Sequence, residues 1–194
     1  MKSTILNLLL VGTIAITSSC GNNDTDSKKI ATDDNKTKEK VDSSSTVPAN
    51  DSKFAVNVAD DGMMEVQLAK LALMNSSSTK VKKFAQQMVD DHGKANSELK
   101  TLATAKNITL PDSISNKNKD KYIDMAKKKG SDFDKAYTSA MVGAHKDAID
   151  AFTKEADKGT DPDLKSWAGG KLSTLEHHLM MAQANDSLIN KQKM

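Results

Sequence analysis

The strongest constraint on the fold is a repeat of apolar residues every three or four positions, sustained through four long segments of the sequence. In one of them Phe133, Tyr137 and Met141 fall on one helical face, and the other segments show the same spacing. This periodicity is typical of amphipathic α-helices, and the β-branched or aromatic runs that would indicate strands are missing. The segments cover about residues 53–75, 80–106, 132–158 and 161–189. The sequence therefore predicts an all-α fold.

The connections between these segments predict how the helices are arranged. Two are short: NSSST follows the first segment, while Gly159 and the N-cap pattern of Asp161 and Pro162 separate the last two. The middle connection has about 25 residues, and its lysine-rich stretch, about residues 116–129, predicts a short helix that ends at Gly130. A connection of this length can run along a whole helix, which predicts a ferritin-like four-helix bundle with a short crossover helix between helices two and three. If the connection folds back instead, the bundle is a simple up-and-down one.

The N-terminal residues 1–19 have the features of a signal peptide. Lys2 precedes an apolar run from Ile5 to Ile16, which is too short to span a bilayer but suits a signal-peptide core. Small residues then precede Cys20, the only cysteine, and this arrangement resembles a bacterial lipoprotein signal, in which that cysteine is lipidated. Ordinary secretory cleavage nearby, with a free thiol left behind, is the alternative. The lipoprotein interpretation predicts a protein of the cell envelope of a Gram-negative bacterium, anchored to the membrane through Cys20 on the periplasmic side or in the outer membrane.

Residues 20–50 differ in composition from the segments that follow. They carry no aromatic residue and few aliphatic ones, so they bury too little apolar surface to offset the chain entropy lost on folding. We therefore expect a disordered tether over residues 20–50 and a folded helical domain over residues 51–190. All 28 basic residues are lysines, and without arginine the chain lacks the bidentate group that reads guanine edges and grips phosphates. The sequence predicts no nucleic-acid partner, and it does not identify a protein partner.

Each predicted long helix carries one candidate polar side chain near its middle, in chain order Glu65, His92, His145 and His178. Counting residues from the predicted turns places all four within about one helical turn of the same level. Glu65 and His92 lie on the apolar stripes of their helices, and the other two lie beside theirs. His177 points about 100° away from His178 and is expected to be exposed. The sequence therefore predicts a shared polar layer inside the helical domain.

A buried layer of this composition is chemically suited to a metal ion. A buried carboxylate is costly unless it is paired, protonated or bound to a cation. Three imidazoles and one carboxylate match the ligand preferences of Zn²⁺, Fe²⁺ and Cu²⁺, so a single transition-metal ion bound by the four side chains of this layer is one prediction. Asp91 would orient a histidine ring through its second nitrogen or bind the metal directly. A metal-free polar layer, in which Glu65 hydrogen-bonds to the histidines, is the alternative.

Three stretches of the sequence resemble a known bacterial family. The stretch FAVNVADDGMMEVQLAKLALMNSSSTKVKKFAQQMVDDHGKANSELKTLATAKNITLP is similar to the opening of the family catalogued as domain of unknown function 4142. GSDFDKAYTSAMVGAHKDAIDAFTKEA and LKSWAGGKLSTLEHHLMMA resemble its second half. The resemblance covers about residues 53–184 and implies an exported or envelope protein with a ferritin-like helical fold and no established activity. It also implies a polar cluster at the positions shared with the family, which are Glu65, Asp91, His92, His145 and His178.

The resemblance to ferritin-like proteins does not extend to a di-iron centre. Di-iron carboxylate bundles use a Glu-x-x-His pair on two helices, whereas Val89, Val142 and Leu175 stand three residues before the histidines here. This incomplete carboxylate set argues against iron storage or oxygen activation by that mechanism. We therefore interpret the sequence as an extracytoplasmic, lipid-anchored helical-bundle protein that binds one transition-metal ion. The alternative is a non-catalytic structural or partner-binding envelope protein with a metal-free polar core layer. Neither requires enzymatic activity, for which a bound metal with an open coordination position would be the minimum.

Overall fold

A computed structural model describes residues 26–42 and 47–191, and six α-helices make up most of this part of the chain. Within the same residues there is no β-strand, which confirms the predicted all-α class. The helices are, in chain order, α1 (Ser27–Val41), α2 (Ala49–Asn75), α3 (Thr79–Ala105), α4 (Asn116–Ala126), α5 (Gly130–Lys158) and α6 (Pro162–Lys191). Among these described helices, none combines the length and the apolar character needed to cross a membrane. The predicted signal peptide and Cys20 lie outside the described residues.

Capping side chains set the starts of two of the long helices, and the cap at Asp161 is the one predicted from the sequence. Ser78 Oγ accepts a hydrogen bond from the backbone N–H of Val81, with a distance of 3.4 Å, at the start of α3. Asp161 Oδ1 accepts a hydrogen bond from the backbone N–H of Leu164, with a distance of 3.0 Å, at the start of α6. Pro162 occupies the first position of α6, where its missing N–H would have no intrahelical partner. The N-caps at Ser78 and Asp161 therefore set where the two short connections end and the next helix begins.

The connection between α3 and α5 joins opposite ends of the helical domain. At one end, α2 finishes beside the start of α5, where Asn75 Nδ2 donates to Lys128 O at 3.3 Å. At the other end, α3 finishes beside the start of α6, where Lys106 Nζ donates to Asp161 Oδ2 at 2.7 Å. The chain must therefore travel the length of α3 again before α5 begins, and α4 lies on this return path against α2. Helices α2 and α5 are antiparallel neighbours, and so are α3 and α6.

The expectation that residues 20–50 are disordered is wrong for Ser27–Val41, which form α1. Polar contacts fix this helix to the connection that follows α3. Asn35 Nδ2 donates to Thr109 O, and Asn35 Oδ1 accepts from Thr109 N, each at 2.8 Å. The apolar contribution is small, with Ala31 as the buried hydrophobic residue of the helix. Composition failed to predict this helix because α1 is held by side-chain hydrogen bonds more than by buried apolar area.

An ion pair at the start of α1 adds to this docking. Lys28 Nζ lies 3.1 Å from Asp60 Oδ2, and the Asp60 side chain is only 1% exposed. Asp60 Oδ1 also accepts a hydrogen bond from the backbone N–H of Ser115, with a distance of 2.7 Å. The buried Asp60 carboxylate of α2 thus contacts both α1 and the start of α4, and each of its two oxygens has its own partner.

The apolar core is divided by a polar layer near the middle of the four long helices. On one side, Phe84, Tyr137 and Met141 belong to a buried cluster that includes parts of α2, α3, α5 and α6. On the other side, Phe54 and Phe152 pack edge to face within a second cluster, with ring centroids 5.1 Å apart. The polar residues predicted from the sequence lie between these two clusters, one on each long helix.

Candidate metal centre

The structure brings together the four polar side chains predicted from the sequence. Glu65, His92, His145 and His178 are 7%, 8%, 0% and 1% exposed, respectively. Each lies in a long helix on a face that continues into the apolar core, so helix packing, and not a loop, sets its position. His177 is exposed, as predicted.

The three imidazole rings face one another at close range. The ring centroids of His92 and His145 are 5.5 Å apart, and those of His92 and His178 are 5.2 Å apart. The third pair, His145 and His178, is separated by 5.4 Å. One ring nitrogen of each histidine lies within 4.8 Å of the corresponding nitrogens of the other two. Nitrogens bound to a common Zn²⁺ lie about 3.4 Å apart, so small side-chain movements suffice to reach ligand distance.

Two carboxylates hold the second nitrogens of two of these rings. His92 Nδ1 lies 2.9 Å from Glu65 Oε2, and His178 Nε2 lies 2.9 Å from Asp91 Oδ2. An ionised carboxylate can only accept a hydrogen bond, so each of these ring nitrogens must carry the proton. In the neutral rings the proton is therefore assigned to Nδ1 of His92 and to Nε2 of His178.

A backbone carbonyl holds the second nitrogen of the third ring. His145 Nδ1 lies 2.9 Å from the carbonyl oxygen of Met141, one helical turn earlier. A carbonyl also only accepts, so the neutral ring carries its proton on Nδ1. Sequence reasoning missed this partner, although a separation of four residues within one helix is the spacing at which a side chain can reach a preceding carbonyl.

The remaining nitrogen of each ring is buried and has no hydrogen-bond partner within residues 26–42 and 47–191. These atoms are His92 Nε2, His145 Nε2 and His178 Nδ1. Because the opposite nitrogen of each neutral ring holds the proton, all three carry a free lone pair. Buried polar atoms are nearly always hydrogen bonded, and three unpartnered lone pairs in one place are the donors that a metal ion takes.

Glu65 contacts the outer side of two rings. Its Oε2 lies 2.9 Å from His92 Nδ1, and its Oε1 lies 3.9 Å from His145 Nδ1. This position is that of a group that orients ligands, while direct metal ligation by Glu65 stays a prediction. Burial raises the pKa of Glu65, but the neighbouring histidines outweigh it and lower this pKa to about 2. The carboxylate is therefore ionised at neutral pH.

Burial and the adjacent carboxylates act differently on the three histidines. Burial lowers the pKa of His145 and of His178, and their hydrogen-bond acceptors do not reverse that effect. Burial also lowers the pKa of His92, but the Glu65 charge outweighs it and raises this pKa above its usual value. Two rings are thus ready to donate a lone pair at neutral pH, and a metal competes with a proton mainly at His92.

A cavity of about 610 Å³ adjoins two of the three histidines and was not foreseen from the sequence. His92 and His178 belong to its lining. The lining also includes Phe54 and Phe152, so the cavity extends along the helices away from the histidines. Along the axis of α2, Phe54 lies about 16 Å from Glu65. Alanines on α5 occupy much of the wall between these two levels, and their small side chains leave the space unfilled.

The described part of the chain is an all-helical protein with a buried cluster of three histidines whose geometry can hold a metal ion. A family model described as Domain of unknown function (DUF4142) matches residues 36–184, and the chain therefore belongs to that family. The match begins within α1 and so includes part of the segment that we expected to be disordered. Comparisons with curated proteins and with solved structures found no match.

Proposed function

We propose that this protein binds a single transition-metal ion through Nε2 of His92, Nε2 of His145 and Nδ1 of His178. The proposal rests on one arrangement: three buried rings lie together with a nitrogen of each within 4.8 Å of a nitrogen of the others, and each ring has one unpartnered nitrogen while an acceptor holds the other. While all three rings are neutral, hydrogen bonding within the cluster cannot satisfy the three nitrogens, because each then offers a lone pair and none offers a proton. A cation satisfies all three at once.

The donor set favours Zn²⁺, Fe²⁺ or Cu²⁺ over the hard cations. Neutral imidazole suits these borderline metals, whereas Mg²⁺ and Ca²⁺ prefer carboxylate, carbonyl and water oxygens. The Glu-x-x-His pairs of a di-iron centre are absent, since Val89, Val142 and Leu175 precede the histidines. The proposal is therefore a mononuclear site.

In this proposal Glu65 and Asp91 are positioning residues. Each accepts a hydrogen bond from the outer nitrogen of its histidine, which fixes the ring orientation and makes the inner nitrogen more basic. Both carboxylates would also offset part of the metal charge, Glu65 from a buried position and Asp91 from a position where its side chain is 39% exposed. For Asp91 this agrees with the role predicted from the sequence.

We also propose that the four long helices form a ferritin-like bundle with α4 in the crossover, and that a lipid on Cys20 anchors the protein in the cell envelope. The antiparallel pairing and the connection that joins opposite ends support the bundle. The signal-like N-terminal sequence supports the anchor. A metal site held in the envelope would serve metal buffering, sensing or redox protection outside the cytoplasm.

Elemental analysis of the purified full-length chain, before and after mild chelation and reloading, tests the metal proposal. We expect one metal ion per chain. Free metal at 100 times Kd should also raise the melting temperature by about 5–10 °C, which corresponds to about 2.7 kcal/mol. His145→Ala should lose both effects, while the exposed His177→Ala is the matched control. A wild-type chain with no stoichiometric metal and no metal-dependent melting temperature would contradict the proposal.

A non-catalytic envelope protein with a metal-free polar layer is the second candidate. The ion pair of Glu65 and His92 favours it, since this pair stabilises a buried carboxylate without any metal. This candidate predicts that chelation leaves the melting temperature unchanged. It also predicts that a folded His145→Ala variant still captures its protein partner.

A further inference from the structure

We infer that the metal site also takes an exogenous organic ligand: a monocarboxylate whose carboxylate occupies an open coordination position and whose hydrocarbon part fills the 610 Å³ cavity. The inference rests on the proposed function and names the ligand class of that same site. It is carried by the donor count, the position of the cavity and the chemistry of its walls.

The donor count leaves room for a ligand from outside the chain. Within the described residues, the convergent donor group consists of three histidines. Glu65 and Asp91 are engaged with outer ring nitrogens. A four-coordinate ion held by three protein nitrogens keeps one position for water or another ligand. His92 and His178 line the cavity, so the cavity adjoins two of the three rings that would hold the ion.

One part of the cavity wall away from the histidines is apolar. Phe54, Phe152 and Leu175 form one buried cluster there, and Ala148 packs against it. Trp167 adds a second aromatic wall, with its ring centroid 6.4 Å from that of Phe54. Pockets for small molecules have volumes of about 300–1,000 Å³, mostly apolar walls and a few convergent polar groups. A hydrocarbon body with one polar head matches this arrangement.

Charge favours a carboxylate as that head. Three neutral imidazoles add no negative charge at the ion, and the carboxylates of Glu65 and Asp91 lie behind the rings, so an anionic oxygen ligand is favoured at the open position. The exposed charged residues of the cavity lining are of both signs and include Lys94, Lys121, Asp61 and Asp147, so the ion and not the lining supplies the attraction for an anion.

Visible spectroscopy of the full-length chain loaded with Co²⁺ tests this inference, with acetate, butyrate and octanoate as probes. Each carboxylate should change the Co²⁺ absorption bands. Octanoate should bind about 100-fold or more tightly than acetate, because each buried methylene contributes roughly a fourfold gain in affinity. Ala148→Phe should lower octanoate affinity about tenfold by filling space worth two methylenes, and should leave acetate affinity unchanged. Ala105→Phe, at an exposed position near the end of α3, is the matched control.

The outcomes separate this inference from the metal proposal. Co²⁺ bands that do not respond to octanoate, or equal affinities for acetate and octanoate, would overturn the ligand while leaving metal binding intact. A chain that fails to bind Co²⁺ at all would refute the metal site and this inference with it. If Ala148→Phe does not fold, the wild-type chain-length series decides, because an affinity that is independent of chain length overturns the apolar part of the site.

Discussion

Glu65 Oε2 lies 2.9 Å from His92 Nδ1, so the carboxylate contacts the ring nitrogen opposite the unpartnered Nε2. Metalloproteins use such carboxylate–histidine pairs to fix a ligand ring and to raise its basicity. The same contact explains how an ionised carboxylate is tolerated between two apolar clusters, since its partner compensates part of the desolvation cost. The pair therefore links the stability of the metal-free chain to its affinity for metal.

Glu65→Gln should reduce metal affinity by about 10–100-fold, the usual cost of losing a partner behind a ligand. The glutamine oxygen can still accept from His92 Nδ1, so the fold should persist, but the neutral amide no longer raises ring basicity. Competition with a chromogenic chelator measures the change. Glu176→Gln, at an exposed position on α6, is the control. Unchanged affinity would refute the positioning role, and a loss far beyond 100-fold would indicate direct ligation.

Glu155 predicts a pH dependence of stability. Burial raises its pKa from 4.5 to about 7, and the charges of Asp51 and Asp161 act in the same direction. The folded chain thus holds this proton more tightly than the unfolded chain, so the stabilising contribution is present at low pH and is lost as pH rises through about 7. Glu155→Gln removes this titration, and its melting temperature relative to wild type should increase from pH 5 to pH 8.

Thermal unfolding of both proteins across this pH range measures the effect of Glu155. Asp157→Asn, an exposed change on the same helix, is the control and should follow the wild-type profile. Parallel pH profiles for Glu155→Gln and wild type would show that the carboxyl group titrates normally.

A glycine within a helix and a glycine directly after one should respond in opposite ways to alanine. A Cβ at Gly170, within α6, meets no atom within 4 Å, so Gly170→Ala should stabilise the fold by about 1 kcal/mol through helix propensity. A Cβ at Gly159, at the end of α5, would lie 2.6 Å from the carbonyl oxygen of Glu155. Gly159→Ala should therefore destabilise by about 1–3 kcal/mol. Urea unfolding of the two variants checks both signs, and shifts in the same direction would contradict this account.

Asn35 should control the docking of α1. Asn35→Ala removes the two hydrogen bonds between the Asn35 side chain and the Thr109 backbone. The free energy that holds α1 on the rest of the protein should therefore fall by about 1–3 kcal/mol. Hydrogen–deuterium exchange should then increase in α1 and change little in α3 and α5. Lys40→Ala, at an exposed position of the same helix, is the control. Unchanged protection of α1 in Asn35→Ala would show that other contacts hold the helix.

Features that depend on local sequence could be predicted. The N-cap at Asp161 and the proline after it define the start of α6 through contacts within a few residues. His92 could be placed in the core because Met88 and Leu99 mark the buried face of the same helix. Helical periodicity therefore predicted the class of fold and the four residues that meet in the polar layer.

Features that depend on contacts between distant segments could not be predicted. Asn35 and Thr109 are 74 residues apart, and neither shows in its local sequence that it will bind the other. The position of Glu65 behind His92 depends on side-chain orientation, which periodicity does not specify. The cavity depends on space left between helices, as at Ala148, where the sequence pattern indicates only a small core residue.

The docking of α1 would restrict how the protein stands on a bilayer. Under the proposed lipid anchor, six residues lead from Cys20 to Asp26, where the described chain begins. Six residues reach at most about 20 Å, so the headgroups and the first turn of α1 would be close neighbours. The helical domain would therefore stay close to the bilayer surface and adopt a limited range of tilt angles. The opening of its cavity would then face a restricted range of directions relative to the lipid surface.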